Sequence, residues 1–163
     1  MMNASLQFKE KMTREEISLL PRKKFEGDIF YINSPEAFRE VMTQLDGQAV
    51  LGFDTETRPA FKKGVINEVA LLQLSTSDQA FLFRLNEIGL PYALIRLLSN
   101  PAVIKAGVAI HDDILGLQRL VHFEPNGFIE LQEFVKEFGI ADNGLKKLSA
   151  NILGFQISKR QQT

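Results

Sequence analysis

The sequence of 163 residues contains no cysteine and only two histidines, His111 and His122. The absence of cysteine excludes disulfide bonds, thiolate catalysis and cysteine-ligated zinc, and it is compatible with a reducing compartment. Two histidines are too few for a histidine-rich metal site. A site whose ligands are oxygen atoms remains compatible with this composition.

Long apolar stretches are also missing from the sequence. Residues 1–16 are polar and have no apolar core of signal-peptide length. No run approaches the roughly 20 apolar residues that span a bilayer. We therefore expect a cytoplasmic protein that does not associate with a membrane. Because the formal net charge is only -1, affinity for a phosphate backbone must come from local basic residues or from bound metal.

The chain divides into a short extension and one domain. Residues 1–27 are predicted to form an N-terminal extension with one short helix, because Thr13 and Glu16 fit a capping box and Pro21 ends the helix. Residues 28–163 have the length and apolar content of a single domain with a full hydrophobic core.

Alternating apolar residues and turn signals predict the order of elements in the larger domain. Ser34 and Pro35 are the N-cap and first position of a helix, and Asn143 is the predicted N-cap of a later one. The polar turn at residues 75–78 is short enough for a hairpin. The strands predicted on either side of that turn should therefore pair antiparallel with each other and with the strand at residues 51–58.

Two carboxylates stand one position apart in that last strand. Asp54 and Glu56 point to the same side, because side chains alternate faces along a strand, and Gly52 leaves space beneath them. Carboxylates roughly 6–7 Å apart repel each other unless a cation lies between them or one is protonated. The pair therefore indicates the start of a metal site.

A third carboxylate, Asp113, falls on the apolar stripe of the helix predicted at residues 110–121. A carboxylate on an apolar stripe is costly to bury without a partner or a metal. An aspartate at a helix start is also favoured by the macrodipole and then needs no function. The unexplained pair at Asp54 and Glu56 favours a shared site.

These three carboxylates are hard oxygen donors that suit magnesium or manganese. Two such ions roughly 3.5–4 Å apart can hold the attacking water and the leaving oxygen of a phosphoryl displacement. That chemistry needs neither histidine nor cysteine, in agreement with the composition.

Several segments follow the order of the motifs of a known family; they are residues 52–57, 69–76, 105–113, 129–132, 144–148 and 157–159. Residues 28–163 thereby resemble the 3′–5′ exonucleases of the ribonuclease D, Werner-type and DNA polymerase I proofreading group. The resemblance implies an α/β, ribonuclease H-like fold. Its mixed sheet would have about five strands, the first three antiparallel and the rest parallel, with helices on both faces.

The resemblance also implies roles for the carboxylates. Asp54 and Glu56 would bind the catalytic metal, Mg²⁺ or Mn²⁺, and Asp54 would contact a second ion. Asp113 would support the site, partly through water. The implied activity is hydrolysis of the phosphodiester bond at the single-stranded 3′ end of DNA or RNA, with no obligate protein partner.

Four further residues are candidate substrate contacts. The strand backbone would lie near the terminal nucleotide, with Phe53, Thr55 and Thr57 as candidate contacts, and Lys159 would reach a phosphate. For Phe53 the alternative is a core residue on the opposite face of the strand.

The third motif of the family, a tyrosine and an aspartate four residues apart on a helix after the Ser-Lys segment, has no counterpart before Thr163. We therefore expect a truncated form of a longer enzyme, with weak metal binding and little nuclease activity. The main alternative is an inactive ribonuclease H-like module that binds nucleic acid or protein. A third is a structural α/β domain with incidental carboxylates.

Overall fold

A computed structural model describes residues 8–57 and 67–157. Their contacts group into two compact units, one of residues 26–130 and one that joins the preceding residues to those from 131 onwards. None of the helices in these described ranges has both the length and the apolar character needed to traverse a bilayer.

Strands and helices alternate along most of the chain. The strands are β1 (Arg22–Lys23), β2 (Asp28–Ile32), β3 (Val50–Thr57), β4 (Val69–Ser75), β5 (Gln79–Arg84), β6 (Ile104–Gly107), β7 (Phe128–Glu130) and β8 (Gln156–Ile157). The α-helices are α1 (Arg14–Leu19), α2 (Pro35–Leu45), α3 (Leu85–Ile88), α4 (Tyr92–Leu98), α5 (His111–Leu120), α6 (Leu131–Phe134) and α7 (Leu145–Leu153). A 3₁₀-helix covers Val135–Phe138.

The unit of residues 26–130 contains a six-stranded mixed sheet in the order β2-β5-β4-β3-β6-β7. The predicted antiparallel pairing of β3, β4 and β5 is confirmed, and β6 and β7 continue the sheet in parallel with β3. The α/β class is confirmed. The sheet has six strands instead of about five, because β2 adds to the outer edge of the antiparallel group, where it pairs parallel with β5.

Alternate residues of the central strands form the core of this unit. Their cross-strand partners share one face, as in the row that joins Phe53 to Leu74 and Leu74 to Phe81. Apolar residues of α2, α4 and α5 join the same buried cluster. They include Leu94 and Leu117, which are both fully buried. Helices α2, α4 and α5 thus form one layer against the sheet. The predicted helical layer on its other face stays a prediction.

The start of α2 follows the signals in the sequence. Ser34 is the N-cap, its hydroxyl accepts a hydrogen bond from the backbone N–H of Ala37 at 3.2 Å, and Pro35 occupies the first turn. The predicted helix start is therefore confirmed.

The second unit contains the predicted capping box of α1, with Thr13 and Glu16 each bonded to the other's backbone N–H. It also pairs β1 with β8 in a parallel two-stranded sheet. The predicted N-cap of α7 is wrong. Gly144 is the N-cap and has no side-chain cap, whereas Asn143 uses its backbone carbonyl to accept a hydrogen bond from Gln132. The predicted division into an extension and one following domain stays a prediction.

Candidate catalytic site

The central strand β3 has different neighbours along its length. On one side, its parallel pairing with β6 registers only Val50, Leu51 and Gly52. On the other side, its antiparallel pairing with β4 continues to Thr57. Since β6 ends at Gly107, the second half of β3 has space on that side for the segment that leads into α5.

The two carboxylates of β3 lie in this second half. Asp54 and Glu56 are both exposed, whereas the intervening Thr55 is 9% exposed and belongs to the buried face. The alternation predicted for Asp54 and Glu56 is therefore present in the structure. Directly opposite Asp54 on β4 is Gln73.

Asp113 comes to the same strand from the first turn of α5. Its side chain is half-buried, and one of its carboxylate oxygens accepts a short hydrogen bond from the hydroxyl of Thr55. The two residues are 58 positions apart in the sequence. The structure thus brings Asp113 to β3 through Thr55, which lies between Asp54 and Glu56.

The carboxyl group of Asp54 has a raised pKa. Asp54 is exposed as a whole residue, but partial burial of its carboxyl group is the largest cause of the shift. The negative charges of Asp113 and Glu56 raise the pKa further, and a hydrogen bond at 3.0 Å from the backbone N–H of Thr55 partly offsets both effects. The charges of Asp113 and Glu56 are therefore both close enough to affect the ionisation of Asp54.

The donor set fits a hard divalent cation, because all three side chains offer carboxylate oxygens. Mutual repulsion at Asp54 is relieved when a cation is bound. Among residues 8–57 and 67–157, however, no three acidic, histidine or cysteine side chains are already gathered at ion-binding distances. An ion held by all three carboxylates would therefore require their side chains to turn towards it.

A close backbone approach joins β6 to β3 near this site. A Cβ atom added at Gly107 would overlap the backbone carbonyl oxygen of Phe53 and the side chain of Ile110. Glycine is therefore required where the chain leaves β6 and turns towards α5.

The candidate substrate contacts have different surroundings. The Phe53 side chain is 5% exposed, and its ring packs edge-on against Phe128 with centroids 5.0 Å apart. It is therefore a core residue, and its side chain is not available to a substrate. Thr55 is buried and bonded to Asp113, whereas Thr57 is exposed. Lys159 lies outside the described residues.

Two charged residues in this region were not singled out from the sequence. Lys105 of β6 is fully buried, and its ammonium group donates to three backbone carbonyls at 2.8–3.2 Å. Glu130 at the end of β7 accepts hydrogen bonds from the backbone N–H groups of Ala109 and Ile110. Each is a single charge within an apolar strand and lies in a segment that follows the family motifs, and these were the signals in the sequence.

The structure thus combines a mixed sheet, a D-x-E pair on its central strand and an aspartate in the first turn of α5. The sequence profile of the 3′–5′ exonuclease family matches residues 29–163. The chain belongs to this family, whose members are hydrolases, and the predicted family resemblance is confirmed.

One relative in sequence supports the same assignment, and two solved structures have a similar fold. The mouse (Mus musculus) bifunctional 3′-5′ exonuclease/ATP-dependent helicase WRN is 33% identical over 150 residues, which cover 86% of this chain. The catalytic core of RRP6 from Trypanosoma brucei has a similar fold, with a TM-score of 0.73 and 15% identity over 94% of this chain and 44% of that one. Ribonuclease D from the same organism, in complex with RNA U12, has a TM-score of 0.59 and 19% identity over 68% of this chain.

The chain spans a small part of these longer proteins. The matched region is 11% of the length of the mouse relative and 39% of the ribonuclease D chain.

Proposed function

We propose that this chain carries the carboxylates of a divalent-metal-dependent 3′–5′ exonuclease site, which hydrolyses the terminal phosphodiester bond of DNA or RNA. The observation that carries the proposal is the placement of Asp54 and Glu56 on one side of the central strand, with the charge of Asp113 close enough to raise the pKa of Asp54. Membership of the 3′–5′ exonuclease family supports the same reaction.

Each carboxylate has a proposed role. Asp54 and Glu56 hold the catalytic Mg²⁺ or Mn²⁺, Asp54 also contacts a second ion, and Asp113 supports the site partly through water. When bound, the two ions supply an activated water and charge stabilisation for the leaving oxygen. Thr55 orients Asp113 through the hydrogen bond between them.

The proposed substrate is the single-stranded 3′ end of a nucleic acid. The backbone of β3 and the exposed side chain of Thr57 would contact the terminal nucleotide, and Lys159 would contact a phosphate. The RNA-bound state of the ribonuclease D relative supports a nucleic-acid substrate, and the choice between DNA and RNA is left to experiment. A cytoplasmic location stays a prediction from the sequence, with the absence of cysteine as one of its grounds.

A second candidate function is an inactive module that binds nucleic acid without cutting it. The observation in its favour is that the described residues contain no three metal-ligating side chains already gathered at one point. This alternative predicts that a single strand binds whether or not metal is present, and that no product forms.

A nuclease assay separates the two functions. The chain is incubated with a 5′-labelled single strand of RNA or DNA in Mg²⁺, in Mn²⁺ and in EDTA. We expect slow shortening from the 3′ end and release of nucleoside monophosphates only when metal is present, in keeping with the little nuclease activity predicted from the sequence. A strand with a blocked 3′ end should remain intact. Binding without shortening in any metal would favour the inactive module.

Matched variants test whether the product comes from this site. Asp54→Asn and Glu56→Gln should each lower the rate by about 10²–10³-fold, because several kcal/mol of transition-state stabilisation depend on metal ligands. Asp112→Asn is the control, because it removes an exposed charge next to Asp113 in the first turn of α5. It should leave the rate within about twofold, because a surface charge change without a ligand role has a small effect.

A further inference from the structure

The carboxylate of Glu130 holds the segment that leads into α5. One of its oxygens accepts a hydrogen bond from the N–H of Ala109 at 3.0 Å, and the other accepts one from the N–H of Ile110 at 2.8 Å. Glu130 is half-buried at the end of β7. Because hydrogen bonds to an ionised acceptor are stronger than neutral ones, this pair of contacts fixes the segment firmly.

The held segment is strained. Ala109 has a φ of 60° and is the only non-glycine residue with a positive φ among those described. In that conformation the Cβ atom of an L-residue crowds the following carbonyl group, so a left-handed alanine persists only where its surroundings enforce it. The contacts from Glu130 act on Ala109 itself and on the next residue, so they enforce this turn directly.

The turn sets the position of Asp113. Ile110 is the N-cap of α5 and has no side-chain cap of its own, and the Glu130 carboxylate satisfies its backbone N–H, one of the helix-start donors that have no partner within the helix. Asp113 lies three residues further on, in the first turn, where its carboxylate accepts the hydrogen bond from Thr55. A change in the turn at Ala109 therefore moves the start of α5 and, with it, Asp113.

We propose that Glu130 is a positioning residue for Asp113: by bonding the N–H groups of Ala109 and Ile110, it holds α5 where Asp113 reaches Thr55 beside Asp54 and Glu56. Glu130 acts through backbone groups and is not a metal ligand. The consequence for metal binding rests on the proposed function, whereas the consequence for Asp113 does not.

The first test follows the rise in the free energy of unfolding as Mn²⁺ is added. The midpoint is the Mn²⁺ concentration at which half of this rise is reached. Glu130→Gln keeps the size of the side chain but turns an amide NH₂ towards one of the two N–H donors. We expect the midpoint to rise by about 10–100-fold, the usual effect of losing a residue that orients a metal ligand. Ser34→Ala is the control, because it removes a helix cap from α2 in the same unit and should leave the midpoint unchanged.

Two double variants make the assignment specific. In Ala109→Gly/Glu130→Gln the glycine adopts the left-handed turn without the alanine's steric penalty, so the midpoint should return most of the way to the wild-type value. In the Asp113→Asn background, Glu130→Gln should cause little further loss, since its effect passes through Asp113. An equal loss in both backgrounds would overturn the proposal. If Glu130→Gln does not fold, folding of Ala109→Gly/Glu130→Gln is itself the expected rescue, and the Asp113→Asn comparison is made with Ala109→Gly present.

A metal-free test by NMR separates this proposal from the proposed function. In EDTA, Glu130→Gln should speed amide exchange at whichever of Ala109 and Ile110 faces the NH₂ group by roughly 5–10-fold, the loss of one hydrogen bond, and should shift the carboxyl ¹³C resonance of Asp113. Ser34→Ala should change neither. An unshifted Asp113 resonance would overturn the role of Glu130. Absence of any Mn²⁺ effect on the wild type would overturn the proposed metal site and leave the role of Glu130 to be decided by the NMR result.

Discussion

Replacing Asp54 by asparagine removes one charge from a group of three carboxylates. The asparagine carbonyl oxygen can still accept the hydrogen bond that the backbone N–H of Thr55 gives to Asp54 at 3.0 Å. Burial of the Asp54 carboxyl group and repulsion from Asp113 and Glu56 both raise its pKa. The substitution removes this repulsion. We therefore expect Asp54→Asn to stabilise the metal-free protein.

The size of this gain follows from the strand geometry. At the roughly 6.5 Å that separates same-face neighbours on a strand, two charges repel by about 0.6 kcal/mol in water and about 2.5 kcal/mol at an effective dielectric constant of about 20. Asp54 and Glu56 are exposed, so the lower part of this range applies. We expect the free energy of unfolding to increase by about 0.5–1.5 kcal/mol in EDTA.

The gain depends on pH in a defined direction. The folded-state pKa of Asp54 lies above its ordinary value of 3.8, so the folded protein binds protons at this site more readily than the unfolded chain does. Above the raised pKa, the charged carboxylate of Asp54 lowers the stability of the wild type. This loss of stability decreases as the pH falls and the carboxyl group takes up a proton. The advantage of Asp54→Asn should therefore shrink as the pH is lowered through this window.

Metal should reverse the order of stability. An ion that binds only the folded state adds about 2.7 kcal/mol when its concentration is 100 times Kd. The wild type should gain this stabilisation and the variant should lose most of it. Wild type would then be more stable than Asp54→Asn by about 1–2 kcal/mol. Urea denaturation followed by circular dichroism, in EDTA and in Mn²⁺, measures both differences.

Asp112→Asn is the matched control for this reversal. It removes a charge from the first turn of α5, where an acidic residue interacts favourably with the helix dipole. It should lower stability by about 0.3–1 kcal/mol, equally with and without metal. The reasoning is refuted if Asp54→Asn destabilises the metal-free protein, or if Mn²⁺ stabilises that variant as much as the wild type.

Three further predictions concern single contacts. Burial lowers the pKa of Lys105 from 10.5 to about 8, so between these values the unfolded chain binds more protons there. Urea titrations at about pH 7 and about pH 9.5 should accordingly show the wild type gaining stability relative to Lys105→Met as pH rises. Gly107→Ala should lower the free energy of unfolding by about 1–3 kcal/mol because its Cβ meets the Phe53 backbone. Gly52→Ala is the control for Gly107→Ala, because its added Cβ overlaps only the movable Ser75 hydroxyl and should cost less than about 1 kcal/mol; thermal denaturation measures both variants. Thr55→Val should cost about 1–2 kcal/mol in EDTA by removing the bond to Asp113, and equal stability would show that this bond contributes nothing.

Local signals in the sequence were sufficient for much of the fold. Ser34 and Pro35 marked the start of α2 because capping and the fixed φ of proline act within a few residues. The antiparallel group was predictable because residues 75–78 connect β4 and β5 directly. The edge position of β2 was not predicted, because its pairing with β5 joins segments that are distant in sequence and no local pattern records it.

The same distinction applies to the site. Asp54 and Glu56 were found because the alternation of a strand relates residues two positions apart. The bond between Thr55 and Asp113 spans 58 residues, and the contact from Glu130 to Ile110 spans 20. Lys105 was hidden for a different reason: its ammonium group is stabilised by hydrogen bonds to backbone carbonyl groups near the end of α4, and the direction of those carbonyls is a property of the folded backbone.

The pairing of β3 explains why repulsion persists in the metal-free protein. Antiparallel pairing with β4 continues past Asp54 and Glu56. The strand backbone therefore cannot move these two residues further apart without loss of sheet hydrogen bonds. Asp113 is similarly held, by Thr55 on one side and, through the start of α5, by Glu130 on the other. Side-chain rotation, protonation or a bound cation are then the remaining ways to relieve the repulsion. Because the backbone keeps the three charges near one another before any ion arrives, part of the ordering cost of metal binding is met on folding.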